Sequence, residues 1–356
     1  MSNARLPKDS AESQTMKDHF RGHVHVGIAG FGTYVPNNRV SAEQIAQEAG
    51  IPIERLTQGI GFRHIHRAST DEHPLSMGVA AARAAIADAG LTATDIDLII
   101  FVSAGDYDYR FWSPASAAVQ ELGCRHTYAF ELRNGCAGGN LACTTVAGLM
   151  DRDSSLQNAL VICADTLSRL VSPSVNDCGP LLYFGDGAAA VVLRRNHPRY
   201  QLMGFSEHTD GELSALLRIE PGGTREPFSP GFNDWKRTYA RVDAKKFSEL
   251  INRVYLDAYT QVIERACKLS GHAIHDIDYL LMNQIKASLR DDLMNRLGVP
   301  LTKTFNSLSE MGHIGPADAF FTMAEAHRQR LIKAGDLAVI ATSGLGFSWA
   351  ATSIRC

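Results

Sequence analysis

Residues 95–105 read DIDLIIFVSAG, and 181 positions further on residues 276–286 read DIDYLLMNQIK. In both, Asp-Ile-Asp opens a short apolar run without polar alternation, the pattern of a strand covered on both faces. Each run follows an amphipathic stretch, MGVAAARAAIADAG (77–90) in the first case and VYLDAYTQVIERACKLSG (254–271) in the second. Downstream, NALVICADT (158–166) matches GDLAVIATS (335–343), with ALVI and LAVI offset by 178. Two helix-then-strand units at a near-constant offset imply two similar α/β halves. The expected division is a polar, mobile extension over 1–23, a first half over 24–200 and a second over 201–356.

The same offset locates candidate chemistry. One helix is expected to start near NGCAGG (134–139) and its counterpart near GHIGP (312–316), which places Cys136 and His313 at pseudo-symmetric helix starts. Asn283 falls at a strand end. Strand ends and helix starts are where ligands gather in open α/β sheets. A thiol at a helix N-terminus faces unpaired N–H groups and a favourable dipole, which makes it a better nucleophile. A free cysteine is equally read as a small buried hydrophobe, and that reading is preferred for Cys143, Cys163 and Cys267, with Cys178 left open. His313 is raised above the other histidines by the repeat, and Asn283 reads either as a strand-ending residue or as a functional amide. The glycine-rich SGLGFS (343–348) is a candidate source of oxyanion donors or a tight turn, and FGDGAA (184–189) is read first as a turn.

The hydrophobic share of 45% and charged share of 21% belong to a globular chain, and a net charge of −3 gives no broad attraction to nucleic acid or an anionic membrane. Runs of about 18 apolar residues, the length of a membrane span, are absent, and the N-terminus has no apolar secretory core. The seven cysteines are scattered without a CxxC pair or metal spacing. Reduced thiols in a cytoplasm are the expectation.

Taken in order, GFGTYVP (30–36), GFRHIHRA (61–68), NGCAGG, LYFGDGAAAVVL (182–193), GHIGPAD (312–318) and GDLAVIATSGLGFSWAA (335–351) resemble the β-ketoacyl-acyl carrier protein synthase III family of the thiolase superfamily. The resemblance spans about Val24 to Cys356. It implies a thiolase-like fold of two pseudo-symmetric βαβαβαββ halves in layers αβαβα, and a homodimer. It also implies a nucleophile at Cys136 and oxyanion donors at the backbone N–H groups of Cys136 and Gly346. Acyl-CoA or acyl carrier protein thioesters would be the substrates, with no metal or redox cofactor and with neither nucleic acid nor membrane as partner.

Two departures qualify the resemblance. The family's histidine and asparagine are exchanged here, as Asn283 and His313, which keeps the hydrogen-bond donors but moves the titrating group. Its tryptophan and arginine that flank the CoA adenine have no match around residues 51–59. Substrate contacts are expected from Trp112, in the aromatic segment 105–112, and from Lys286 and Phe347. The leading expectation is acylation of Cys136 followed by condensation with a malonyl-type thioester. Acyl transfer to an alcohol, amine or thiol and a non-catalytic partner subunit are the alternatives. The acyl chain, and primary against specialised metabolism, stay open.

Overall fold

The computed structural model describes residues 24–242 and 244–356, with backbone alone at 244, 246 and 250–252; the expected N-terminal extension lies outside them. Strand β1 (Val26–Tyr34) leads into the hairpin partners β2 (Asn38–Ser41) and β3 (His64–Arg67), with helices α1 (Ala42–Ala49) and α2 (Glu54–Thr57) between them. The first half continues through α3 (Pro74–Asp88), β4 (Leu98–Val102), α4 (Pro114–Leu122), β5 (Tyr128–Leu132), α5 (Gly138–Arg152), β6 (Asn158–Thr166) and β7 (Asp186–Arg195). The second contains β8 (Gln201–Thr209), the short pair β9 (Leu217–Arg218) and β10 (Arg241–Val242), α6 (Ala244–Leu269), β11 (Tyr279–Met282) and α7 (Ala287–Leu297). It closes with α8 (Leu308–Met311), α9 (Asp318–Arg328), β12 (Leu337–Gly344) and β13 (Ser348–Arg355).

Nine strands form one sheet in the order β11-β12-β13-β8-β1-β7-β6-β4-β5. The two apolar runs that begin with Asp-Ile-Asp occupy equivalent places. Strand β4 is parallel to β6, as β11 is to β12, and each pair is followed by an antiparallel strand, β7 or β13. On the outer side of β4 lies β5, while beyond β11 only a single bridge, Leu280 to Thr304, occupies that position. Between β1 and β8, where the sheet passes from one half to the other, a single residue pair is matched, Gly27 with Gln201.

Helices cover the sheet in layers because its central strands are apolar on both faces. All five residues of β4 and all eight of β12 are buried. One core gathers Ile100 and Val161 from the first half and Leu281 and Ile340 from the second around α5 and α9, whose Val146 and Phe320 are nearly inaccessible. A second core packs α3 and α4 on the outside of the first half, and a third packs α6 and α7 on the outside of the second. Helix α6 buries Tyr255, Tyr259, Val262, Ile263 and Ala266, the i, i+4, i+7 stripe of a core-facing helix. Each large apolar side chain buried this way contributes about 1.5–3 kcal/mol. The order is therefore α3/α4, sheet, α5/α9, sheet, α6/α7, the layered thiolase-like arrangement. No helix among the described residues is long and apolar enough to cross a membrane.

The middle layer also carries a polar tie. Asn140 on α5, 2% exposed, donates to the Ile340 carbonyl at 3.1 Å and accepts from the Thr352 hydroxyl, both in the other half. Replacing Asn140 with leucine strands a buried carbonyl and a buried hydroxyl. Asn140→Leu is expected to lower stability by about 2–4 kcal/mol, read as a lower urea midpoint at unchanged steepness. A midpoint within error of wild type would show that the halves do not depend on this tie.

Candidate active site

Cys136 lies in the tight turn that feeds α5, partly buried, with Gly135 before it at φ +52°. A Cβ on Gly135 would stand 2.6 Å from the Leu345 nitrogen, so this position admits neither the conformation nor the volume of another residue. The close approach brings the turn that follows β12 against the nucleophile's backbone.

His313 arrives from the other half, in the loop between α8 and α9. Gly312 precedes it at φ +66°, and a Cβ there would meet the Tyr183 carbonyl at 2.3 Å. That contact lets the chain run beside residues 183–185: the His313 N–H donates to the Tyr183 carbonyl at 2.8 Å, and the Gly185 N–H donates to the His313 carbonyl at 2.9 Å. The imidazole is 4% exposed between the rings of Tyr183 and Phe184, at centroid distances of 5.8 and 5.4 Å. The FGDG stretch thus braces the histidine. Its Asp186 accepts from the Ala68 and Ser168 N–H groups and the Ser168 hydroxyl, which holds the turn from beneath.

The His313 Nε2 stands 3.0 Å from the Cys136 sulfur, and Nδ1 bonds to Asp318 Oδ2. Asp318 is the first residue of α9, 1% exposed, and also accepts from the Gln284 N–H at 2.6 Å and the Ile314 N–H at 2.9 Å. With that acceptor behind it, Nδ1 carries a hydrogen, and in the neutral ring Nε2 is the atom free to take a proton from sulfur. Burial opposes charging the imidazole. The Cys136 sulfur and the Asp318 carboxylate, by charge and hydrogen bonding, outweigh burial and hold His313 well above the ordinary histidine value. Stability from this raised pKa is fully present below the unfolded value, about 6.5, and is lost as pH rises through the folded one. Sequence reading placed Cys136 and His313 side by side but missed Asp318. Its signal was an acidic residue opening a helix five positions after the histidine.

Asn283, 3% exposed, stands just beyond β11. Its Oδ1 accepts from the Tyr259 hydroxyl and from the Ser343 N–H at 3.0 Å, and its Nδ2 donates to the Ser343 carbonyl at 3.2 Å. Cys136, His313 and Asn283 share a cavity of about 950 Å³. Apolar side chains such as Ile60, Leu170 and Leu182 line it together with the charged Arg55, Arg133 and Lys286. Phe347 also lines it, packed against Phe247 and Trp349 at 6.1 Å each. Trp112 is not among the lining residues; its ring meets Tyr109 edge-on at 5.3 Å. Gly344, the last residue of β12, and Leu345 after it line the cavity, and Gly346 follows at φ +130° in the turn that leads to Phe347. Cys143, Cys163 and Cys267 are buried thiols, with burial pushing Cys143 up to about 12. Cys178 is buried too, donating to the Ala240 carbonyl at 3.1 Å.

Likeness to known proteins runs along most of the chain. Residues 130–211 match the profile of the family described as 3-oxoacyl-[acyl-carrier-protein (ACP)] synthase III, and residues 267–356 match that of its C-terminal part. A β-ketoacyl-[acyl-carrier-protein] synthase III of Nostoc sp. is 31% identical over 326 residues, covering 92% of this chain and 96% of its own. The protein of the same name from Clostridium perfringens is 28% identical over 92% of this chain and 98% of its own. Among solved structures, the 3-oxoacyl-[acyl-carrier-protein] synthase III of Aquifex aeolicus superposes with a TM-score of 0.81 at 24% identity, covering 93% of this chain and all of the other. A Xanthomonas campestris OleA variant, solved with lauric acid and lauroyl-CoA, gives 0.81 at 20% identity over 93% and 99% of the two chains. At these identities the structures speak for the fold. Family profiles and full-length relatives together show that the chain belongs to the β-ketoacyl-[acyl-carrier-protein] synthase III family of condensing acyltransferases.

Proposed function

We propose that the protein forms an acyl thioester on Cys136 and condenses it with a malonyl-type thioester. The observation that carries this reading is the line from the Cys136 sulfur through His313 to Asp318, with 3.0 Å between sulfur and Nε2. In the first step the sulfur attacks the donor carbonyl and His313 takes the thiol proton. The backbone N–H groups of Cys136 and Gly346 hold the oxyanion, and the donor thiol leaves with the proton. In the second step the malonyl thioester loses CO2, and the resulting carbanion attacks the acyl carbon. The Cys136 sulfur leaves, giving a 3-oxoacyl thioester.

His313 and Asn283 stabilise the enolate oxygen. Asn283 contributes a donor that cannot titrate, and His313, its Nε2 reprotonated from solvent after the first proton has left with the donor thiol, contributes a second that Asp318 steadies; that proton then accompanies the Cys136 sulfur as it leaves. Every bond changed belongs to a thioester or to CO2, so the proposal needs acyl-CoA or acyl carrier protein and no metal or redox cofactor. The mostly apolar cavity suits an acyl chain, and Arg55 and Lys286 suit an anionic carrier of it. A homodimer in the cytoplasm is part of the same proposal.

A second reading rests on one observation. A histidine backed by a buried carboxylate is built to accept a proton, which the carbon–carbon bond-forming step does not demand and the second step of transfer to an alcohol, amine or thiol does. Carbon dioxide release from a malonyl thioester, dependent on acylated Cys136, supports condensation; its absence alongside consumption of a nucleophilic acceptor supports transfer.

Intact-protein mass after incubation with a panel of acyl-CoA and acyl carrier protein thioesters is expected to rise by one acyl group, and by none in Cys136→Ala. No adduct from any donor removes the proposal. In His313→Ala the acylation rate is expected to drop about 10²–10⁴-fold. Asp318→Asn takes away one of the influences that raise the His313 pKa. Followed by NMR of ring-labelled histidine, the His313 titration midpoint is expected to lie well above 6.5 in wild type and to fall in the variant. An unmoved midpoint would mean that Asp318 does not sustain the imidazolium.

A further inference from the structure

The Asn283 amide is held more tightly than a hydrogen-bond donor at a strand end requires. Its oxygen takes two donors, the Tyr259 hydroxyl and the Ser343 N–H, and one N–H is spent on the Ser343 carbonyl. A primary amide offers two acceptor sites and two donors. Both acceptor sites are filled, which leaves a single N–H with no protein partner among the described residues, on a side chain that lines the cavity shared with Cys136. The pairing with both backbone groups of Ser343 decides which way the amide faces, since a flip would oppose donor to donor and acceptor to acceptor. The phenol of Tyr259 occupies the lone pair that would otherwise accept from an incoming group.

The anchor is itself built in. Tyr259 is inaccessible, stacked edge-on against Tyr255 at 5.3 Å, and Tyr255 bonds to the Ser343 hydroxyl at 2.6 Å. Two tyrosines four apart on α6 therefore grip the two residues, Asn283 and Ser343, that end neighbouring strands β11 and β12 beside the nucleophile. Packing alone explains neither phenol, because α6 needs only apolar side chains to pack and a buried hydroxyl has to find a partner.

We infer that Tyr259 is a positioning residue that makes the Asn283 amide a donor-only group, its free N–H fixed on the carbonyl of the acceptor thioester. The inference rests on the two-step reading of Cys136, and its test separates the two. Wild type, Tyr259→Phe, Asn283→Ala and the double variant would be compared in a double-mutant cycle. Tyr259→Phe keeps the ring, and melting curves check that each variant folds.

The first readout is the second-step rate after Cys136 has been pre-loaded. Tyr259→Phe is expected to slow it about tenfold while Cys136 acylation stays within about twofold, and to add nothing in the Asn283→Ala background. The second readout needs no reaction. It is the dissociation constant of a ketone analogue of the acceptor thioester, with methylene replacing sulfur, against its counterpart lacking the carbonyl. Wild type is expected to prefer the ketone; Tyr259→Phe should shrink that preference several-fold, and the double variant should match Asn283→Ala.

Equal losses from Tyr259→Phe in both backgrounds would mark a packing role only and overturn the inference. So would an unchanged ketone preference in Tyr259→Phe. A ketone preference that follows the cycle while Cys136 takes no acyl group would instead overturn the two-step reading and leave the role of Tyr259 standing.

Discussion

A single carboxylate organises the site. Asp318 opens a helix, is almost wholly withdrawn from solvent, and accepts from the His313 ring, from the peptide after His313 and from the peptide after Asn283. A buried acceptor of that kind is costly unless its lone pairs are filled, and each donor that fills them belongs to a functional element. The imidazole is thereby given its tautomer, the loop its path and the end of β11 its position. Removing the carboxylate would free all three at once.

Around it the architecture divides the labour. The nucleophile comes from the helix start of one half, and the imidazole and amide come from the loop and strand end of the other. They meet because α5 and α9 share the middle layer. The exchange of histidine and asparagine that the resemblance implies falls on positions 283 and 313, and each of the two residues has a setting suited to it. Histidine at 313 has a carboxylate behind it. Asparagine at 283 has its oxygen fully committed, which an imidazole ring there would not tolerate in the same way. The exchange is thus accompanied by matched surroundings.

The sequence disclosed the halves because strands covered on both faces must be apolar without interruption, so 98–102 and 337–344 stand out in any reading. It disclosed Cys136 because glycines crowd a helix start, and His313 because the repeat carried one helix start onto the other. Asp318 stayed hidden: a 3-10 turn over Gly315–Ala317 folds it back on His313, a path no helical or strand period describes. Tyr255 and Tyr259 stayed hidden because their spacing is that of any core-facing stripe, and only three dimensions reveal hydroxyls aimed at strand ends. Trp112, in the aromatic segment 105–112, packs with Tyr109 outside the cavity of this chain.

The junction of the halves carries a mechanical consequence. With Gly27 and Gln201 as the single pair matched between β1 and β8, the sheet supplies almost no torsional stiffness between the two sides. The spacing of the halves then falls to the backbone pairing of His313 with residues 183–185 and to the girth of the two central helices, where a Cβ on Gly139 would already press on the Phe320 ring at 2.9 Å. Side-chain volume at that crossing behaves as a shim. A methyl group added there would bear on the packing between the halves, without altering any residue that meets substrate.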